Sequence, residues 1–219
     1  MGEKTILEKL RSIGIIPVAV IDDPDKATPL AEALARGGLS CMEVTFRTAG
    51  AEESIRRVAA EAPDVLVGAG TILTVHQAKT AVEAGARFIV SPGFNREVVG
   101  YCVDQGIPVT PGIQTPTEIE LALSFGLKVV KFFPAEPAGG LKTLKALSGP
   151  YVDISFIPTG GLNADNAHDY LTFDRVWACG GSWIARRGAI NENRFDEISS
   201  IAGEARKIVD EVRGRAASC

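Results

Sequence analysis

The chain has 219 residues, 46% of them hydrophobic and 23% charged, a balance that fits one large globular domain and excludes a disordered chain. Lys plus Arg is 23 against 27 Asp plus Glu, for a net charge of −4. No global basic field exists to recruit nucleic acid, although a local cationic pocket for a small anion is compatible with that balance. No run approaches the roughly 18 apolar residues of a membrane helix, and the opening residues Met1–Ile6 have neither a signal-peptide core nor a myristoylation pattern. The four cysteines (Cys41, Cys102, Cys179, Cys219) are scattered, with no CxxC pair, and His76 and His168 are the only histidines. The expectation is a cytoplasmic globular protein with no structural disulfide, no metal and no organic cofactor.

In chain order, Glu3–Ser12 reads as an extra N-terminal helix, within residues 1–13. Eight short apolar runs follow: Ile15–Ile21, Cys41–Phe46, Leu66–Thr71, Arg87–Pro92, Pro108–Ile113, Lys128–Pro134, Ser155–Gly161 and Arg175–Ser182. They start 20 to 27 residues apart. Between them lie segments with helical apolar spacing, such as Ala27-Leu30-Ala31-Leu34, Ser54-Ile55-Val58-Ala59 and Ile119-Leu121-Ala122-Phe125. Thr115-Pro116-Thr117-Glu118 and Asn163-Ala164-Asp165 carry helix-start signals. Arg194–Val212 reads as a C-terminal helix and 214–219 as a frayed tail. Strands alternating with helices predict parallel pairing through crossovers, and eight such repeats fit a closed (β/α)8 TIM barrel. A doubly wound sheet would carry a GxGxxG loop after its first strand, where Ile21-Asp22-Asp23 stands. No linker divides the chain, so residues 1–219 read as one domain.

Barrel enzymes build their sites at the C-terminal ends of the strands, so polar residues there carry the functional signal. In Cys41–Thr48, period-two alternation puts Met42, Val44 and Phe46 on one face and Glu43, Thr45 and Arg47 on the other. The apolar face suits the surrounding helices, which leaves Glu43 and Arg47 pointing inward. They form either a structural ion pair or a base and an anion binder. Lys131 sits among apolar neighbours three residues before Pro134; a lysine so placed must lose its proton, find a partner such as Glu43 or Glu136, or snorkel out. The neutral amine is the nucleophilic form. Lys128, at the opposite end of the strand, reads as a solvated charge.

Pro158-Thr159-Gly160-Gly161 and Cys179-Gly180-Gly181-Ser182 end the seventh and eighth strands, the common phosphate site of this architecture. Paired glycines let backbone N–H groups approach an anion, and Ser182 adds a hydroxyl. Thr71 either donates into the barrel mouth or caps the next helix. Pro92 and Pro111 read as rim shape, Glu136 as a loop charge, His76 and His168 as surface or capping residues, and Trp177 and Trp183 as packing.

Taken together, these strand ends resemble the KDPG/4-hydroxy-2-oxoglutarate aldolase family. The matching stretches are Glu43–Thr48, Val67–Thr71, Ser91-Pro92-Gly93, Lys131–Glu136, Pro158–Gly161 and Gly180–Trp183, in family order over nearly the whole chain. The resemblance implies a metal-free, class I (Schiff-base) aldolase barrel, assembled as a homotrimer and acting on a phosphorylated keto acid. It implies Lys131 as the Schiff-base lysine and Glu43 as general acid/base. Arg47 and Thr71 would hold the pyruvyl carboxylate, and Gly160, Gly161 and Ser182 the phosphate. Pro92, Phe133, Thr159 and Gly181 complete the implied substrate-binding set. Some relatives carry an arginine late in the first strand, where this chain has Val20. Two readings stand beside it: a Schiff-base decarboxylase, or an aldolase for the C4-epimeric phosphogalactonate. A non-catalytic phosphosugar-binding barrel is the rival from another class.

Overall fold

Each apolar run forms a strand in the computed structural model, which describes residues 5–216. The strands are β1 (Ile15–Ala19), β2 (Cys41–Thr45), β3 (Leu66–Gly70), β4 (Ile89–Ser91), β5 (Val109–Ile113), β6 (Val129–Phe132), β7 (Ser155–Pro158) and β8 (Cys179–Gly181). Neighbours pair in parallel from β1 to β7, and β8 pairs with β1. Bridges from Phe156 to Val176 and from Thr159 to Gly180 close the ring between β7 and the β8 segment. The result is a (β/α)8 barrel. All strands but β5 end one to three residues before their apolar runs do, and β4, β5, β6 and β8 also begin later than theirs.

Crossover helices follow the strands: α2 (Ala27–Arg36), α3 (Ala51–Glu61), α4 (Val75–Glu83), α5 (Arg96–Asp104), α6 (Pro116–Ser124), α7 (Gly140–Ser148) and α8 (Ala164–Thr172). After β8 come a short α9 (Arg187–Asn191) and a long α10 (Phe195–Ala216). Ahead of β1 lies α1 (Ile6–Ile13), so the expected N-terminal helix is present; Glu3 and Lys4 lie outside the described residues. The expected tail is corrected at its start, since α10 continues through Gly214 to Ala216; residues 217–219 lie outside the described part. The anticipated starts of α6 and α8 are capping boxes, Thr115 with Glu118 and Asn163 with Asn166.

Strand alternation sorts the core into two layers. Met42, Val44, Val67 and Ile89 face outward into a large cluster with helix residues such as Leu30, Leu34, Ile55 and Val58. Ile16, Cys41, Phe88, Val90, Val129 and Ile157 face inward and fill the lower barrel, and Leu10 of α1 joins them from below. The Phe88 ring occupies the axis because β3 has no side chain there: a Cβ on Gly68 would lie 2.3 Å from it. The floor is therefore sealed by packing, and the polar chemistry is left to the upper ends of the strands. Among the described residues no helix is long and apolar enough to cross a membrane. Cys41, Cys102 and Cys179 are buried free thiols, pushed up by burial.

Candidate active site

Glu43 and Lys131 meet inside the barrel mouth. Glu43 is two residues above Cys41 on the inward face of β2, and Lys131 is the third residue of β6; they are 4% and 6% exposed. Lys131 Nζ lies 3.6 Å from Glu43 Oε1 and 4.9 Å from the centre of the Phe133 ring. The separation from Glu43 is too long for a hydrogen bond. Glu43 Oε1 is buried and accepts no hydrogen bond. A purely structural ion pair would close up and use this oxygen; here it is left without a protein donor. An open carboxylate beside a buried amine is suited to taking and returning a proton. β3 makes this placement feasible, because a Cβ on Gly70 would lie 1.9 Å from Glu43 Oε1.

A second pair stands at the rim. Arg47 follows β2 in an exposed turn, and its Nε donates to Thr71 Oγ1 at 3.3 Å. Thr71 has a φ of 60°, a left-handed conformation that costs a β-branched residue about 1–3 kcal/mol. It does not cap the next helix; Thr74 does, accepting from the Gln77 N–H. The strained threonine is thus committed to Arg47, and together they present a guanidinium and a hydroxyl to the mouth. Val20, one residue beyond β1, supplies no charge there, and Asp22 is bound by Arg187 and Asn191.

Across the barrel, the β6 and β7 ends are laced together. The Ala135 N–H donates to the Thr159 carbonyl and the Glu136 N–H to the Gly160 carbonyl. Gly160 and Gly161 have φ of 97° and 84°, so their turn needs residues without a side chain. Thr159 faces inward against Gly180, whose Cβ would lie 2.1 Å from its Oγ1. Gly181 faces outward against Trp183 and Ile15, so only its backbone can serve the mouth. Ser182, one residue past β8, is exposed and makes no hydrogen bond among the described residues. Pro92 and Phe133 border one cavity of about 320 Å³, with Gly112, Gln114 and Pro134.

All the expected site residues therefore lie at one end of the barrel. Direct contacts join Lys131 with Glu43 and Phe133, and Arg47 with Thr71; no hydrogen bond connects these groups to each other or to Ser182. Lys128 is exposed below β6, as its position suggested. Glu136 is an exposed charge in the loop after β6, in line with its reading, and its Oε1 also accepts a 2.5 Å hydrogen bond from Tyr170, a buried residue of α8. Nothing in the spacing of the two residues, 34 apart, announces that contact.

The model for KDPG and KHG aldolases matches residues 6–201. The chain belongs to the KDPG and KHG aldolase family. It is 48% identical over 205 residues to the 2-dehydro-3-deoxy-phosphogluconate aldolase of Treponema pallidum, covering 94% of this chain and 98% of that one. The KHG/KDPG aldolase of Escherichia coli K12 is 41% identical over 203 residues, 92% of this chain and 95% of its own. Among solved structures, the KDPG aldolase of Legionella pneumophila, with pyruvate captured as a covalent carbinolamine intermediate, superposes with a TM-score of 0.88 at 40% identity. That match covers 92% of this chain and 98% of the other. For a member of this aldolase family, the 3.6 Å Lys131–Glu43 approach and the glycine turn at Gly160–Gly161 are the features with chemical content.

Proposed function

We propose that this chain is a class I aldolase, with Lys131 as nucleophile and Glu43 as general acid/base, cleaving 2-dehydro-3-deoxy-6-phospho-D-gluconate (KDPG) to pyruvate and D-glyceraldehyde 3-phosphate. The observation that carries the residue roles is the buried, unbonded Glu43 Oε1 standing 3.6 Å from Lys131 Nζ. Neutral Lys131 attacks the C2 ketone to give a carbinolamine; loss of water leaves a protonated imine, an electron sink at C2. Glu43, directly or through a water, takes the C4 hydroxyl proton. The C3–C4 bonding pair moves into the imine to give an enamine, and the aldehyde departs. The enamine takes a proton at C3, and hydrolysis of the imine frees pyruvate and Lys131.

Arg47 and Thr71 hold the substrate carboxylate, which the guanidinium can grip bidentately. Gly160, Gly161 and Ser182, with the backbone of Gly181, receive the phosphate, while Pro92, Phe133 and Thr159 shape the wall between the two anions. 4-Hydroxy-2-oxoglutarate, cleaved to pyruvate and glyoxylate, is a second substrate that needs only the Lys131 side of the site. The enzyme works in the cytoplasm as a homotrimer, in keeping with its composition and family. The test is steady-state kinetics on a panel of KDPG, its C4 epimer, 4-hydroxy-2-oxoglutarate and oxaloacetate, with products identified. KDPG should give the highest kcat/KM; a preference for oxaloacetate with carbon dioxide as product would make the chain a decarboxylase instead.

A further inference from the structure

The glycine turn proposed for the phosphate lies over the stem of an exposed glutamate, Glu136. A Cβ on Gly161 would come within 2.5 Å of Glu136 Cβ and 2.8 Å of its Cγ, so the stem of Glu136 forms the floor of the turn. Its N–H donates to the Gly160 carbonyl at 3.0 Å, fixing floor and turn to each other. Were the carboxylate on this stem to swing toward the glycines, it would oppose an anion bound there, because Coulomb repulsion over a few ångströms is only partly screened at a protein surface.

The carboxylate is held away from the turn. Glu136 Oε1 accepts from the Tyr170 hydroxyl at 2.5 Å, and Tyr170 is 2% exposed. Gly140, at a φ of 63°, leaves room for this bond: a Cβ there would sit 3.0 Å from Glu136 Oε1 and 3.2 Å from the Tyr170 hydroxyl. Burial, and next the bond to Glu136, push the Tyr170 hydroxyl well above the usual phenol range, so it stays a donor at neutral pH.

We propose that Tyr170 is a positioning residue of the phosphate subsite: it holds the Glu136 carboxylate away from the Gly160–Gly161 turn, so that the turn can receive a phosphate dianion. Tyr170 touches no substrate in this arrangement and acts through Glu136 alone. The inference rests on the phosphate role of the glycine turn given above.

Kinetics with KDPG and with phosphate-free 4-hydroxy-2-oxoglutarate test it. Tyr170→Phe frees the carboxylate and should raise KM for KDPG about tenfold, with kcat and both constants for the phosphate-free substrate within about twofold. Adding Glu136→Gln to that variant removes the charge and should return KM for KDPG to within about threefold of the parent. Added salt should shrink the Tyr170→Phe penalty. A purely structural Tyr170 gives equal losses on both substrates and no recovery from Glu136→Gln, and either result overturns the proposal. Should Tyr170→Phe fail to fold, the near-isosteric Glu136→Gln decides by itself. Its KM for KDPG should stay level or fall, and a tenfold rise would mean that the charge helps phosphate binding. Failure of the underlying phosphate reading looks different: Ser182→Ala would then weaken both substrates equally.

Discussion

Lys131 and Glu43 are buried, at 6% and 4% exposure, yet they stop short of a hydrogen bond. The proposed proton transfer would account for keeping this buried acceptor open. Glu43→Gln preserves the shape and removes the base, so kcat for KDPG should fall by about 10²–10⁴, while Lys131 still condenses with pyruvate. A stopped-flow or coupled assay reads the fall; activity within threefold of the parent would reduce the pair to a structural one. At the far end of the substrate, Ser182→Ala would delete one donor to the phosphate if Ser182 has its proposed role. It should lower kcat/KM for KDPG by roughly 1–3 kcal/mol, the range of a hydrogen bond to a charged group, and leave 4-hydroxy-2-oxoglutarate nearly unchanged.

At the scale of elements, β3 is the strand that makes room. Phe88 crosses the axis over Gly68, and Glu43 stands against Gly70. Gly70→Ala would force a methyl to 1.9 Å from Glu43 Oε1. Overpacking of this kind costs about 1–3 kcal/mol, and here the strain falls on the base, so a urea midpoint and kcat should drop together. Around the mouth, Arg187 and Asn191 of α9 bind Asp22, just past β1, which ties the first and last segments of the ring. The hydrogen bond from Arg187, with that from Asn191 second, lowers the Asp22 carboxyl to about 2 from an ordinary 3.8. Because the folded value is depressed, the tie contributes fully above the ordinary value and is lost as pH falls through about 2. Thermal midpoints of Asp22→Asn and the parent should therefore differ at pH 5 and converge toward pH 2; an unchanging difference would show that charge is not what Arg187 reads.

Which parts of this were legible beforehand follows from the range of the interactions. The eight strands announced themselves because both barrel faces demand apolar residues, so Glu43, Arg47 and Lys131 stood out as exceptions. Hydropathy alone makes most strand ends too long, since apolar residues such as Ile21 continue past the last ladder hydrogen bond and are buried in the outer core. Glu136 is the loop charge that its position suggests, but its bond to Tyr170, on the next helix but one, leaves no local pattern. The Arg47–Thr71 contact, across 24 residues, likewise leaves no local pattern.

For the whole molecule, α1 closes the floor and Leu10 joins the inner core, so access to Lys131 is from the mouth alone. The protonated imine supplies the electron sink that a Lewis acid would otherwise provide. Prolonged EDTA treatment should accordingly leave turnover unchanged, and a metal-dependent recovery after chelation would contradict that. Light scattering should give the mass of three chains at micromolar concentration. The most direct measurement is covalent: incubate the protein with pyruvate and borohydride, then locate the adduct by peptide mapping. One reduced pyruvate adduct on Lys131 is the expected result; no adduct, or one confined to Lys128 or Lys142, would contradict the Schiff-base mechanism at this site.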